Sequence, residues 1–343
     1  MKKKKILVLM GGKSPEHEIS LISGSQVVKN LDSKKYNVLP GIISKDGKRL
    51  QLVSAPKLLQ QKDPLYLKGT NKDLVTNPDK ELSGVNELTE PVDVVFIAMH
   101  GPFGEDGTIQ GMLELAGIPY TGSGVLASAL GMDKIAFRKF LSKEKVNLPK
   151  YVVVQKGDDI EEKVKTLGGP PFFVKPYNQG SSVGNSLVKS GKDLKKALDL
   201  ALKYSNKVLI DEYIKGIEVT VGLLGNENPI ALPVIEIVPL KGEFFDYDSK
   251  YRESGSEEIV PARISTDLAK KVQNIAIMVY KALNCKGFSR VDFILKDGKI
   301  PFVLEINTIP GLTPMSLLPK AAKAAGISYS QLLDRIISSA NQT

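Results

Sequence analysis

An α/β fold, opening with a Rossmann-like domain and continuing into an α+β half, is predicted by three observations. Over the first part, β-rich runs at residues 5–10, 36–43 and 92–99 alternate with a helical pattern at 19–31, as in a parallel sheet covered by helices. From Tyr151 the chain changes to short strands at 151–155, 171–175, 185–188 and 208–213, with one helical pattern at 192–203. From about Ile217 it is strand-rich to Pro239, polar over 241–258 and helical over 267–283, and it closes with a hairpin and an amphipathic end. The stretch 52–90 is polar, proline-bearing and weakly periodic, an excursion between strands of the first domain.

Composition narrows the partners. Lys+Arg 47 against Asp+Glu 38 gives a formal charge of +9 over 343 residues. Without a nucleic-acid signature, that balance points to small anions, phosphates and carboxylates. The single Cys285 cannot form an internal disulfide, and no Cys/His cluster offers zinc its usual ligands, so a reducing cytoplasmic setting is expected. The lysine run at 2–5 imitates a signal peptide, but the apolar run behind it stops at Gly11-Gly12. That is short of the about 7–15 residues of a secretory segment or the about 20 of a membrane span. The lysines read as a solvated lead into an edge of the first strand. Gly122-Ser123-Gly124 begins a superficial G-x-G-x-x-A, yet the acidic residue due about 20 positions later is missing from the basic 138–145 region; nicotinamide binding is not expected.

The sharpest constellation is the Asp297-Gly298 turn between two alternating apolar runs, a strong hairpin signal. A two-residue turn sets Arg290 opposite Glu305, and Asp292 diagonal to Glu305. Alternation then gives one apolar face, Val291, Phe293, Leu295, Ile300, Phe302, Leu304 and Ile306. The other face gathers Arg290, Asp292, Glu305 and Asn307. Two carboxylates and an amide oxygen suit a hard cation, Mg²⁺ or Mn²⁺; the plainer reading is an exposed face with an Arg–Glu pair. The turn that follows, 308–314 (TIPGLTP), carries a glycine able to aim backbone N–H groups at an anion.

Two further elements carry chemistry. Lys175 ends a strand before Gly180-Ser181-Ser182-Val183-Gly184, a loop that can fold over phosphates or serve as an ordinary hairpin. His100 follows the buried run 94–99, beyond a strand's carboxyl end where α/β sheets place ligands. It reads either as a general base or as a satisfied loop histidine that orients a substrate carboxylate. His17, between Glu16 and Glu18, reads as structural.

These motifs resemble those of the D-alanine:D-alanine ligase family of the ATP-grasp superfamily over nearly the whole chain. The matching segments are HGPFGEDGTIQG at 100–111 and R-V-D, L-E-I-N and P-G within 287–311, with GGKSPEHEIS at 11–20, KPYNQGSSVG at 175–184 and FDYDSKY at 245–251 in support. The resemblance implies a Rossmann-like substrate domain over 1–122 and a two-part ATP-grasp module, central over 123–214 and C-terminal with the metal site over 215–343. It implies ATP between the last two parts, with Lys134 and Lys175 on its phosphates, Asp211, Glu212 and Ile214 facing adenine, Glu218 on the ribose, and Ser182 and Lys250 among the ATP-binding residues. Glu16 would anchor the first D-alanine's ammonium group, linked through Ser181 and Tyr251 to a mobile loop, with His100 beside that substrate. Ser316 and Leu317 would receive the second D-alanine's carboxylate, while Arg290 and the Gly311 N–H stabilise an oxyanion. Two metal ions on Asp292, Glu305 and Asn307, a homodimer and a role in peptidoglycan precursor synthesis belong to the same implication. Gln179 stands where many members carry glutamate. The Gly-Ser loop and the 241–258 stretch are expected to close as lids. Tyr251, neutral near pH 7, favours D-alanine over D-lactate as second substrate; a ligase making D-alanyl-D-lactate and a non-catalytic nucleotide-binding regulator are the alternatives.

Overall fold

The computed structural model describes residues 2–60, 91–240 and 255–340. Lys250 and Tyr251, with most of the expected lid at 241–258, lie outside them.

In the first sheet β1 (Lys4–Gly11) runs parallel to β2 (Tyr36–Ile43) on one side and β4 (Val94–Ile97) on the other, and β3 (Leu50–Leu52) adds antiparallel to β2. Strand β1 is therefore interior, and the exposed lysines at 2–4 lead into a strand paired on both sides rather than into an edge. Ile6 through Met10 are fully buried, because an apolar run with no alternation is covered on both faces. Helix α1 (His17–Asn30) packs on this sheet, and His17 Nδ1 lies 2.7 Å from the Gly12 carbonyl, a structural contact at the helix start.

The central sheet is antiparallel, in the order β5 (Tyr151–Gln155), β8 (Lys207–Glu212), β6 (Phe172–Pro176), β7 (Ser186–Val188). Its apolar face meets α7 (Gly191–Ala201) through Leu194, Ala197, Leu198 and Ala201, and these form a core of their own with Phe172, Val174 and Ile210. The third sheet has six strands, β12 (Ser256–Ile259), β11 (Ile235–Pro239), β9 (Gly216–Leu224), β13 (Phe288–Lys296) and β14 (Ile300–Asn307) in order, with β10 (Ile230–Ala231) beside β9. Part of the expected lid, 256–259, is thus an edge strand.

One face of the third sheet is covered by α8 (Thr266–Ala282), through Val272, Ala276 and Val279, and by Phe137 and Leu141 of α5 (Lys134–Leu141). At its far end Leu224, Ile235 and Phe288 join Leu318 of α9 (Leu317–Ala324), Leu333 of α10 (Tyr329–Ser338) and the first sheet in one continuous core. The first and third sheets are thereby welded, whereas the central sheet keeps a separate core.

The hairpin corrects the expected register. Asp297 and Gly298 are both left-handed, with φ 52° and 66°, as the turn demands, but Lys299 drops out of the ladder and Lys296 pairs with Ile300. A bulge at Leu304 then adds a second one-residue shift, so Asp292 faces Glu305 and Arg290 faces Asn307. The first shift turns Ile300 and Phe302 off the core face and brings Val303 onto it; the second restores parity, keeping Ile306 inside and the metal-ligand set together. The extra residue, Leu304, leaves the predicted apolar face and lines a cavity instead.

Candidate active site

Two cavities flank this hairpin. One, of about 570 Å³, lies among the first domain, the Gly-Ser loop, the hairpin and the start of α9, and Glu305 faces it. The other, of about 340 Å³, lies between the central and third sheets, and Leu304 faces it. Neighbouring residues of one bulged strand thus look into different cavities.

The larger cavity collects Glu16, His100, Lys134, Ser181, Arg290, Glu305, Asn307, Gly311, Ser316 and Leu317. Glu16 is buried, and Ser181 Oγ donates a hydrogen bond to its Oε1. Its other oxygen is wedged between two glycines: a Cβ would stand 2.6 Å from Oε2 at Gly101 and 2.9 Å at Gly180. Gly101 also has φ 71°, so neither the backbone nor the space admits a side chain there. The Gly-Ser loop is thereby laid down on the first domain.

His100 is buried, with Nδ1 3.1 Å from the Ile309 carbonyl and Nε2 2.8 Å from Ser23 Oγ. A carbonyl only accepts, so Nδ1 carries the proton and Nε2 accepts from the serine. Burial holds the imidazole below its ordinary pKa, against the pull of Glu16's charge. Both nitrogens being engaged, the geometry favours the orienting role over proton abstraction. Glu105, at the same wall, accepts from the Gly101 N–H at 2.6 Å. Burial, and then the charge of Glu16, push its carboxyl well above the usual range.

On the hairpin's polar face Arg290 grips Asp292 with two hydrogen bonds of 2.8 Å, and Thr220 Oγ1 donates to Asp292 Oδ1 at 2.5 Å. Lys134, first residue of a helix that Asp133 caps through Ile135 N and Ala136 N, reaches Glu305 at 3.3 Å and the Gln179 carbonyl at 2.7 Å. Asn307 Oδ1 accepts from Ile309 N at 3.0 Å. Arginine and lysine thus sit where a divalent ion would neutralise the same carboxylates. The oxygen-only donor set fits Mg²⁺ or Mn²⁺. Gln179's side chain turns to the Tyr204 carbonyl at 3.2 Å, so at this position it is the backbone oxygen that holds Lys134. At the cavity's far end Ser316 Oγ accepts from Thr313 N at 3.1 Å and makes no capping bond to its own helix, which leaves the first N–H groups of α9 toward an anion.

The smaller cavity collects Lys175, Asp211, Glu212, Ile214 and Glu218; Ser182, with φ 59°, lines neither cavity. Asp211 Oδ2 binds Lys175 at 2.7 Å and the wholly buried Arg138 at 3.0 Å. Its Oδ1 is buried and has no hydrogen-bond partner among the described residues. Such an orphan acceptor suits a donor arriving from a ligand, such as the amino group of adenine. Burial pulls the Lys175 ammonium below its ordinary pKa, and Asp211 restrains the fall. Arg138 is a contributor that the sequence reading missed, although its spacing from Ile135 and Leu141 puts it on the helix's buried stripe.

Comparison with known proteins places the chain in a family. The family model described as the D-ala D-ala ligase N-terminus matches residues 5–123, and that of the C-terminus matches 127–338. A D-alanine–D-alanine ligase of Desulforudis audaxviator is 41% identical, covering 97% of each chain, and one of Clostridium acetobutylicum is 39% identical over 98% of this chain and 97% of its own. Among solved structures, a D-Ala:D-Ser ligase from Enterococcus faecalis superposes with TM-score 0.83 at 34% identity, covering 98% of this chain and 99% of its own. A Bacillus anthracis D-alanine–D-alanine ligase complexed with ATP gives 0.75 at 34%, covering 98% and 97%. The chain belongs to the D-alanine–D-alanine ligase family, with the ATP-grasp fold of its solved relatives.

Proposed function

We propose that this protein joins two D-alanines into D-alanyl-D-alanine, converting ATP to ADP and phosphate. The observation that carries the reading is the bulged strand whose Leu304 faces one cavity and Glu305 the other: a nucleotide in the smaller cavity would direct its terminal phosphate toward an amino acid in the larger.

A carboxylate is a poor electrophile, so a leaving group must come first. The γ-phosphoryl passes to a carboxylate oxygen of the first D-alanine, whose ammonium Glu16 holds, and ADP leaves. The second D-alanine's amine attacks the carbonyl carbon, loses a proton, and expels phosphate. Arg290 and the Gly311 N–H steady the oxyanion between these events, while Lys134 and Lys175 offset phosphate charge. Asp292, Glu305 and Asn307 would hold the divalent ions, two in the resemblance, whose chemistry is to neutralise the transferring group. Asp211, Glu212 and Ile214 would face adenine and Glu218 the ribose, with Lys250 and Ser182 also binding the nucleotide; Ser181 and Tyr251 would tie the loops to Glu16. A cytoplasmic homodimer feeding peptidoglycan synthesis belongs to the same reading. Among the described residues no helix is long and apolar enough to cross a membrane.

The test supplies ATP, Mg²⁺ and D-alanine labelled with ¹⁸O in its carboxylate. Dipeptide with label in the released phosphate is expected. Phosphate release independent of D-alanine, or unlabelled phosphate, overturns the reading. D-lactate or D-serine offered in competition reports the second position, where D-alanine is expected to dominate.

A further inference from the structure

We propose that Lys320, held ready by Glu258, receives the carboxylate of the second amino acid; this rests on the ligase reading. Both residues line the larger cavity, Glu258 from edge strand β12 and Lys320 from α9, and they form an ion pair. Nothing local in sequence joins them, since they stand 62 positions apart.

Three observations place the carboxylate here. Lys320 lies one helical turn beyond Ser316, its N–H bonded to the Ser316 carbonyl at 3.1 Å. Long side chains on a helix lean back over the turn before them, which carries the ammonium toward Ser316 and Leu317. The two other lysine and arginine side chains lining the cavity among the described residues, Lys134 and Arg290, are engaged at the hairpin face by Glu305 and Asp292, where phosphate charge develops. The second amino acid keeps a carboxylate that does not react, and enclosing it without a cation would be costly. An ammonium has three donors, so Lys320 can take that carboxylate without releasing Glu258. Glu258 in turn keeps Lys320 oriented while the cavity awaits substrate.

A purely structural role, fastening β12 to α9, is the competing account, and an uncharged substrate separates the two. D-Alaninamide can attack as the second amine but lacks the carboxylate. The wild-type enzyme should prefer D-alanine over D-alaninamide at the second position, and Lys320→Met should erase that preference. Its KM for the second D-alanine should rise roughly tenfold or more, with the KM values for ATP and the first D-alanine within about twofold and the melting temperature retained. Lys320→Arg should recover most of the loss, and Glu258→Gln should give a smaller rise. A Lys320→Met enzyme that keeps the preference, or loses activity equally toward both substrates, overturns the proposal. Wild-type protein that forms no dipeptide overturns the ligase reading itself, so the two failures are distinguishable.

Discussion

The two cavities share a hairpin but are prepared for their ligands in opposite ways. In the larger one, each carboxylate named already has a partner: Arg290 holds Asp292, Lys134 holds Glu305, Lys320 holds Glu258, and Ser181 bonds Glu16. In the smaller one, Asp211 clamps Lys175 and Arg138 with one oxygen and leaves the other, buried, without a partner among the described residues. Substrates entering the first would meet groups already paired within the protein, whereas a nucleotide entering the second would complete a set. The difference teaches that reactivity is concentrated where paired groups can be redistributed, and recognition where an acceptor is left over.

The largest effect should come from removing a redistributable charge at the junction. Glu305→Ala takes away a metal-ligand candidate and leaves Lys134 without its carboxylate. Turnover should fall by roughly a thousandfold or more, with far-UV circular dichroism unchanged because Glu305 is not part of a core cluster. An active Glu305→Ala enzyme would show that turnover does not depend on this carboxylate.

Arg290 sharpens it. If the arginine leaves Asp292 to meet developing charge, Arg290→Met should lower kcat by about 10²–10³ while the KM for ATP barely moves. A change confined to KM would make Arg290 a ground-state binding group, and the contrast between the cavities would shrink.

For the second cavity the expected discrimination is smaller. Guanine presents an acceptor where adenine presents an amino group, so GTP would leave Asp211 Oδ1 unpaired. A kcat/KM preference for ATP of about tenfold or more follows, and Asp211→Asn should narrow it. Equal use of GTP would show that the orphan oxygen does not read the base.

Much of this arrangement is legible in the sequence. Strands 36–43 and 151–155 appear with the expected bounds, since alternation and β-branched content are local properties. His100 and Glu105 of HGPFGEDG, Gly180 and Ser181 of Gly-Ser-Ser, and Glu305, Ile306 and Asn307 of L-E-I-N meet at one cavity because each motif sits at a strand end or tight turn that the sequence marks. The hairpin register is not legible. Asp-Gly announces a turn, but the residues around Leu304 alternate cleanly through a bulge that only contact with the third sheet and the smaller cavity reveals. Ion pairs such as Arg138–Asp211 and Glu258–Lys320 join residues 73 and 62 positions apart, and composition carries no trace of such pairing.

The smallest expected effect tests why the larger cavity tolerates two acids, Glu16 and Glu105, at one wall. Burial and the charge of Glu16 raise Glu105 above its ordinary 4.5, so the folded chain retains a proton that the unfolded chain releases. Folding is then linked to proton uptake: Glu105's contribution is fully present below about 4.5 and is lost as pH rises through the raised folded value. The amide introduced by Glu105→Gln is neutral at every pH and keeps a carbonyl oxygen for the Gly101 N–H. The melting temperature of Glu105→Gln minus that of wild type should therefore grow between pH 5 and pH 8, by about 1–3 °C. Taking the difference cancels the titration of groups common to both proteins. In a Glu16→Gln background the growth should be smaller, because the second cause of the shift is gone. A difference that stays flat from pH 5 to pH 8 would mean that Glu105 ionises normally, and that the wall carries two negative charges rather than one.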